Sequence, residues 1–253
     1  MNESTPPMQS VERAFEVVET LRDNGPAGPS RIAEELGMPK STAYVYLRSL
    51  RETGFVIGED GQYRLSYMFL NTGSRIKHRQ RIFQVARGDI SRLANETGES
   101  VTLSIEEAGR TIVLQEESKE ESIDLGLYSG MSAPLHSQAA GKTILAELPP
   151  SRITDIIDSH GLTAATTHTI TDEKRLRDQL ETIRETGYAV DWDQHVVGVG
   201  TMGVPIVVEG EPIGAIGIAC PTERMKDEDY QEDLLKLARE CTESITVSYQ
   251  YSR

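Results

Sequence analysis

The sequence predicts an α+β chain in two parts, a small helical head and a larger mixed domain. Three observations predict it. Apolar residues recur at helical spacing from Ser10 to about Glu52, then give way after Glu99 to alternating strands interspersed with helices. Charge divides along the same line: residues 1–80 carry ten basic and ten acidic side chains, and residues 81–253 carry sixteen against thirty, so the net charge of −14 lies in the second part. A length of 253 residues suits two domains of ordinary size.

Ser10 to Arg22 reads as a helix, with Val11, Ala14, Phe15, Val18 and Leu21 on one apolar stripe. Asn24-Gly25-Pro26 stops it, and Gly28-Pro29 continues the turn. Ser30 is the expected N-cap of a short helix through Leu36, which Gly37 ends. Pro39 opens a second helix, because a missing N–H costs nothing in a first turn. That helix runs to Glu52, and Gly54 terminates it.

Two short helices joined by a Gly-containing turn have helix-turn-helix spacing. Ala43, Leu47 and Leu50 form the inward stripe of the second helix, and Ser41, Tyr44, Val45 and Arg48 its neighbouring face. A hydroxyl, a phenol, a methyl-bearing side chain and a guanidinium are groups that meet base edges and phosphates. Phe55-Val56-Ile57 and Tyr63-Arg64-Leu65 then flank Glu59-Asp60-Gly61-Gln62, whose Asp-Gly pair signals a tight hairpin and hence a wing. From Gly37 to Arg81 eight basic residues face three acidic ones, an island of positive charge on an acidic protein. Such an island marks where a polyanion would bind. The candidate DNA contacts are Lys40, Ser41, Thr42, Tyr44, Val45, Arg48 and Arg64.

Ser66 to Thr97 is mostly polar and helix-compatible, with Gly73 and Gly88 as weak points. It reads as a linker helix whose Arg75, Lys77, Arg79 and Arg81 form a solvated face or lie along a phosphate backbone. Beyond it, Val101, Leu103 and Ile105 alternate, and Thr111 to Gln115 follows the turn Ala108-Gly109. Helices are expected over Ala139–Glu147, Ser151–Ser159 and Asp172–Thr186, the last capped by Thr171 and ended by Gly187. Thr201–Val208 and Ile213–Cys220 are strands around Glu209-Gly210-Glu211-Pro212, and Asp227–Tyr249 is a closing helix.

Composition narrows the setting. The N-terminal MNESTPPMQS has no apolar core of a signal peptide, and no apolar run approaches a membrane span. Cys220 and Cys241 form neither a disulfide framework nor a metal spacing, so a reducing cytoplasm is expected. Forty acidic residues stand against only seven Lys among twenty-six basic ones, a surface suited to a halophile's cytosol, where salt screens self-repulsion.

Ser10-Val11-Glu12-Arg13-Ala14-Phe15 is similar to the first helix of the IclR family of transcription regulators, and Leu36-Gly37-Met38-Pro39-Lys40-Ser41-Thr42 to the start of that family's recognition helix. Gly130-Met131-Ser132-Ala133-Pro134-Leu135-His136-Ser137-Gln138-Ala139-Ala140-Gly141-Lys142 resembles a block of the family's effector domain. Gly187-Tyr188-Ala189-Val190-Asp191 and Gly198-Val199-Gly200-Thr201-Met202-Gly203-Val204-Pro205 resemble two more. With the acidic composition, the chain resembles a haloarchaeal member. The resemblance implies a winged helix-turn-helix over 8–66, a linker helix over 67–97 and a GAF-like effector-binding domain over 98–253. It implies dimers or tetramers on palindromic promoter DNA, and activation or repression of a catabolic operon in answer to a small molecule. Sugar degradation is the expected regulon, with aromatic-acid sensing the competing one. Occupancy of the effector pocket would then bias the linker helix.

The same resemblance implies an effector pocket at Leu125, Ala133, Ala139, Ala140, Asp191, Thr201, Gly217 and Ala219. Asp191 matches the family's pocket acid, and Thr201 stands where many members have Cys or Ser, keeping a hydroxyl donor. Gly217 and Ala219 replace the Ser of carboxylate-binding members, which argues against a small keto-acid held in the same way and leaves room for a larger or sugar-like ligand. Val45 departs from the Arg common in the recognition helix and offers only apolar contact, for instance to a thymine methyl.

Other motifs are weaker. Gly141-Lys142-Thr143 looks like the end of a phosphate loop, but His136 stands where the motif needs Gly. His136, Asp191 and His195 lack an activated nucleophile, and His136 is expected to bond to backbone near the pocket. His160 and His168 have no ligand spacing, and Glu116 to Glu121 reads as a solvated charged loop. No cofactor and no catalytic residue is expected. The rival reading is a small-molecule-processing enzyme that uses the C-terminal pocket.

Overall fold

In the computed structural model, which describes residues 8–120 and 122–251, the chain divides after Ile76 into two units. The polar N-terminal residues 1–7 and Glu121 of the charged run lie outside the described residues.

The first unit is a three-helix head with a wing. Helix α1 (Gln9–Asn24) buries Val17, Thr20 and Leu21, whereas Val11 and Phe15 of the expected stripe are 51% and 61% exposed. Only the C-terminal half of α1 reaches the core shared by Ile32, Ala43, Leu47, Val56 and Tyr63. Helix α2 (Pro29–Glu35) has Gly28 at its N-cap and no side-chain cap, so Ser30 lies inside the helix. Pro29, pre-set for helical φ, starts the helix one residue before the hydroxyl can cap it. Gly37 at φ +59° makes the turn to α3 (Lys40–Glu52), where Pro39 occupies the N-cap.

Strands β1 (Val56–Glu59) and β2 (Gln62–Leu65) pair antiparallel from Val56↔Leu65 to Glu59↔Gln62. Asp60 and Gly61 both have positive φ, 51° and 77°, the paired left-handed turn that matches strand twist. Phe55 falls outside the strand and packs edge-on to Phe69 at 4.8 Å. Ala27 and Tyr63 exchange backbone hydrogen bonds of 2.9 Å, a short third member of the wing that the sequence pattern did not suggest.

The single linker helix expected over 67–97 is two helices. Helix α4 (Met68–Arg79) and α5 (Arg81–Thr97) are separated by Gln80, whose ψ of 116° breaks the hydrogen-bond ladder. Gly73 and Gly88 lie inside continuous helix. Helix α5 is no polar connector: Ile82, Phe83, Ala86, Ile90, Leu93 and Ala94 are buried in the core of the second unit. Nor is the basic cluster wholly solvated. Lys77 Nζ lies 4.7 Å over the Phe83 ring and donates to Ser129 Oγ at 3.2 Å, while Arg81 stacks 4.5 Å over Tyr249 and donates to its carbonyl.

In the second unit β3 (Ser100–Glu107), β4 (Arg110–Glu117) and β5 (Ser132–Pro134) precede α6 (Ala139–Glu147), α7 (Pro150–His160) and α8 (Glu173–Thr186). Strands β6 (Ala189–Trp192), β7 (Val199–Val208) and β8 (Glu211–Pro221) follow, then the short α9 (Thr222–Met225) and α10 (Glu228–Tyr251). The sheet order is β5-β4-β3-β8-β7-β6, antiparallel throughout. Helices α5 and α10 share one apolar core with the sheet; α6, α7 and α8 share another. This is the α+β, GAF-like arrangement expected.

The hairpin turns Ala108-Gly109 and Glu209-Gly210 again pair two positive φ values. Strands β5 and β6, three and four residues long, carried no alternation to read. Asp172, not Thr171, caps α8, its carboxylate accepting from Arg175 N at 2.8 Å. Glu116 and Glu117 belong to β4 and are half-buried, and Ser118 to Glu120 are exposed.

Two glycines let α6 pack closely, Gly203 against β7 and Gly141 against the turn that follows β5. A Cβ at Gly203 would lie 2.4 Å from the Ala139 carbonyl carbon, and one at Gly141 would lie 2.2 Å from the Leu135 carbonyl oxygen. Glu99, wholly buried just before β3, accepts from Tyr230 Oη at 2.5 Å and from Arg224, tying the sheet to α9 and α10.

Candidate effector cavity and DNA-recognition face

Near the N-terminal end of α6 the sheet presents small side chains: Thr102 on β3, Thr201 on β7, Gly217 and Ala219 on β8. The space they leave is a cavity of about 80 Å³, walled further by Val113, Leu125, Leu127 and Met131 and by His195 and Val196 from the turn between β6 and β7. Its lining is mostly apolar. Six of the eight expected effector residues meet here: Leu125, Ala139, Ala140, Thr201, Gly217 and Ala219. Ala133 is buried in β5 and does not line the cavity. Asp191 does not line it either; it is buried behind Thr201.

Thr201 corrects a second expectation. Its Oγ1 donates to Asp191 Oδ1 at 2.8 Å and accepts from Ala139 N at 3.3 Å. The single hydroxyl proton is thus spent behind the wall, and Thr201 is no donor to a ligand. Asp191 is held from its other side by Lys142, whose Nζ lies 3.1 Å from Oδ2, with both side chains fully buried. Lys142 also donates to Gln194 Oε1 at 3.0 Å and Gln179 Oε1 at 3.3 Å. Burial pushes Asp191 up from the usual carboxylate range and Lys142 down from the usual amine range, and each one's charge draws the other back toward ionisation. Sequence reasoning saw Lys142 only as a false phosphate-loop lysine; buried in this pair, it cannot reach a phosphate.

The first N–H groups of α6 have no acceptor within the helix, which makes this end of the cavity electropositive. Beside it, His195 Nδ1 lies 3.3 Å from Ser137 Oγ, and burial holds the imidazole below the usual histidine range. His136 Nε2 lies 3.1 Å from the Thr163 carbonyl, the backbone bond expected of it, and burial lowers it too. Among the cavity residues that the sequence reading missed, Ser100 and Thr102 alternate along β3 with the core residues Val101 and Leu103, and that two-residue period was the available signal; Val113, Leu127, Met131 and His195 carried no such signal.

On α3, Lys40, Ser41, Tyr44, Val45 and Arg48 are exposed, Thr42 is half-buried, and Arg64 on β2 is half-buried. Arg48 Nε pairs with Glu52 at 3.4 Å and Arg64 with Glu59 at 3.7 Å, exposed contacts that a phosphate can displace. Ser41, Thr42 and Val45 share a shallow groove with Ser10 and Ala14 of α1, two residues not foreseen there.

Among the described residues no cluster of metal-ligating side chains occurs, and no helix is long and apolar enough to cross a membrane. Burial pushes the thiols of Cys220 and Cys241 up to about 12, so both remain protonated.

A winged helix-turn-helix joined to a sheet domain with an internal cavity is the build of a DNA-binding regulator. The family described as IclR helix-turn-helix domain matches residues 10–57, and that described as Bacterial transcriptional regulator IclR C-terminal matches residues 75–247. The chain belongs to the IclR family of transcriptional regulators, which are not enzymes. It is 29% identical to the probable HTH-type transcriptional regulator ArcR of Halobacterium salinarum, with 94% of this chain and 92% of that one covered. It is 26% identical to the transcriptional repressor IclR of Escherichia coli, with 94% and 90% covered. The crystal structure of the Thermotoga maritima IclR superposes with a TM-score of 0.79 at 31% identity, covering 97% of this chain and all of that one. The Halobacterium relative fits the acid-rich, Lys-poor composition.

Proposed function

We propose that the chain is a ligand-responsive regulator of a catabolic operon, acting in the cytoplasm as a homodimer or homotetramer on palindromic promoter DNA. Its functional divisions follow 8–66 for DNA binding, 67–97 for the link and 98–253 for effector binding. Lys40, Ser41, Thr42, Tyr44, Val45, Arg48 and Arg64 contact DNA, with base choice resting on Ser41, Thr42, Tyr44 and Arg48. The single observation that carries the effector reading is the electropositive N-terminus of α6 facing a small, mostly apolar cavity. A carboxylate accepts from the first-turn N–H of Ala140, that of Ala139 being held by Thr201, and an apolar body rests against Val113, Leu125 and Leu127.

This lining favours an apolar acid over a sugar. A sugar presents a hydroxyl at nearly every carbon, and each buried without a partner is costly. A structural neighbour at 23% identity, an IclR homolog from Microbacterium hydrocarbonoxydans, is complexed with 4-hydroxybenzoate, an acid of this general kind. The route outward runs through β3, whose Thr102 lines the cavity while Val101 and Leu103 pack in the core that contains α5. The test is a mobility-shift assay on DNA upstream of the gene and its neighbours, with benzoate, phenylacetate, 4-hydroxybenzoate, gluconate and glucose added in turn. A sequence-specific shift altered by an apolar acid is expected. No specific shift, or a shift altered only by glucose or gluconate, overturns the reading.

A further inference from the structure

Which second group the effector carries beside its carboxylate follows from one proton count at the cavity wall. Ser137 Oγ has a single proton, and it donates that proton to the Pro134 carbonyl at 2.9 Å. In its 3.3 Å contact with His195 Nδ1, Ser137 Oγ is therefore the acceptor and Nδ1 carries the hydrogen. A neutral imidazole protonated at Nδ1 has a bare lone pair at Nε2. The contact with Ser137 is the one hydrogen bond of this ring among the described residues. Burial, which disfavours the charged ring, keeps it neutral at neutral pH, and the Asp191 charge opposes burial only in part.

The position of this lone pair matters as much as its existence. Ser137 precedes the first residue of α6 by two positions, so the imidazole it holds stands beside the helix N-terminus. His195 and Ala139 line the same cavity. The cavity thus places a first-turn donor, the Ala140 N–H, near an acceptor; the Ala139 N–H is already given to Thr201. Thr201 does not blur this division, because its proton is committed to Asp191.

We infer that His195 Nε2 is the specificity-determining acceptor for a ligand hydroxyl adjacent to the carboxylate, so that the effector class is 2-hydroxy carboxylic acids with an apolar side group. This rests on the carboxylate reading above. A plain acid leaves Nε2 buried without a partner when it displaces water, and an ether at the same place sets two acceptors against each other. A hydroxy acid satisfies both ends at once.

Isothermal titration of the protein with mandelate, phenylacetate and α-methoxyphenylacetate (the methyl ether of mandelate) tests this. The three share a phenyl group and a carboxylate and differ only at the adjacent position. Mandelate is expected to bind about tenfold tighter than either of the others, the worth of one buried hydrogen bond. H195F, which keeps an aromatic ring but has no acceptor, should bring the three affinities together while still binding phenylacetate. H195Q, whose amide oxygen accepts, should restore part of the mandelate preference. Equal affinities in the unaltered protein overturn the inference and leave the carboxylate reading standing. Loss of phenylacetate binding in correctly folded H195F, judged by circular dichroism, also overturns it, because His195 would then only hold the wall together. Failure of all three acids to bind overturns both readings.

Discussion

Lys142 Nζ lies 3.1 Å from Asp191 Oδ2 with neither side chain exposed, and this pair holds the cavity wall in place. Asp191 orients Thr201, Thr201 receives Ala139 N, and Lys142 grips Gln194 beside His195. Two charges taken from water are costly, and removing one partner leaves the other uncompensated. Lys142→Met should therefore destabilise the protein by ~3–5 kcal/mol. Lys142→Met with Asp191→Leu should recover much of that loss, since an apolar replacement of a buried pair is often neutral. Urea unfolding of the two variants checks this. A double variant no more stable than the single would show that the pair does not act as a unit.

The buried histidines set the response to acid. Burial holds both His136 and His195 below the ordinary value of about 6.5, so the folded state keeps them neutral. Lys142 adds to this at His136, whereas Asp191 opposes it at His195. Above that ordinary value neither state binds the protons, and the stability is complete. As the pH falls below it the unfolded chain takes up protons first, so stability declines until the folded values are reached. Melting temperature should fall between pH 7.5 and 5.5, and H136Q with H195Q should flatten the slope. An unchanged slope in the double variant would locate the titrating groups elsewhere.

How much of this was legible in the sequence depended on whether a feature was local. The helix-turn-helix and wing were readable because Gly37, Pro39, Gly54 and Asp60-Gly61 punctuate them within a few residues. The break at Gln80 was not, since neither Gly nor Pro marks it. What turns Arg81–Thr97 inward is packing against a sheet more distant in sequence. The stripe of α1 was misplaced because Val11 and Val17 are equally apolar, and only the position of α2 and α3 decides which is covered. Six cavity residues came from family resemblance. The roles of Asp191, Lys142 and Thr201 needed the hydrogen-bond directions, which no residue pattern carries.

Gly203 offers a separate handle on the cavity. A methyl there would meet Ala139 O at 2.5 Å and Ala140 N at 2.6 Å, both rigid backbone atoms of α6. Gly203→Ala should cost ~1–3 kcal/mol by overpacking. It should also displace the Ala140 N–H proposed to bind the carboxylate. Chemical denaturation reads the first effect, and titration with phenylacetate, weakened at least tenfold, reads the second. Unchanged affinity in a destabilised variant would show that the first turn of α6 does not hold the ligand.

At the DNA face the expected order of effects follows from salt and geometry together. In an acid-rich protein working at high salt, phosphate contacts contribute little, because affinity from counterion release falls steeply with salt. Base-reading contacts are less exposed to that loss. Arg48 is exposed on α3, and among the described residues Glu52 at 3.4 Å is the acid that competes for it. Lys77 is half-buried, bonded to Ser129 and set over Phe83. Arg48→Ala should therefore weaken operator binding more than Lys77→Ala, about tenfold or more for a lost base contact. Mobility-shift titrations at two salt concentrations measure both. Equal losses from the two variants, with equal salt slopes, would mean that recognition is electrostatic and that Arg48 reads no base.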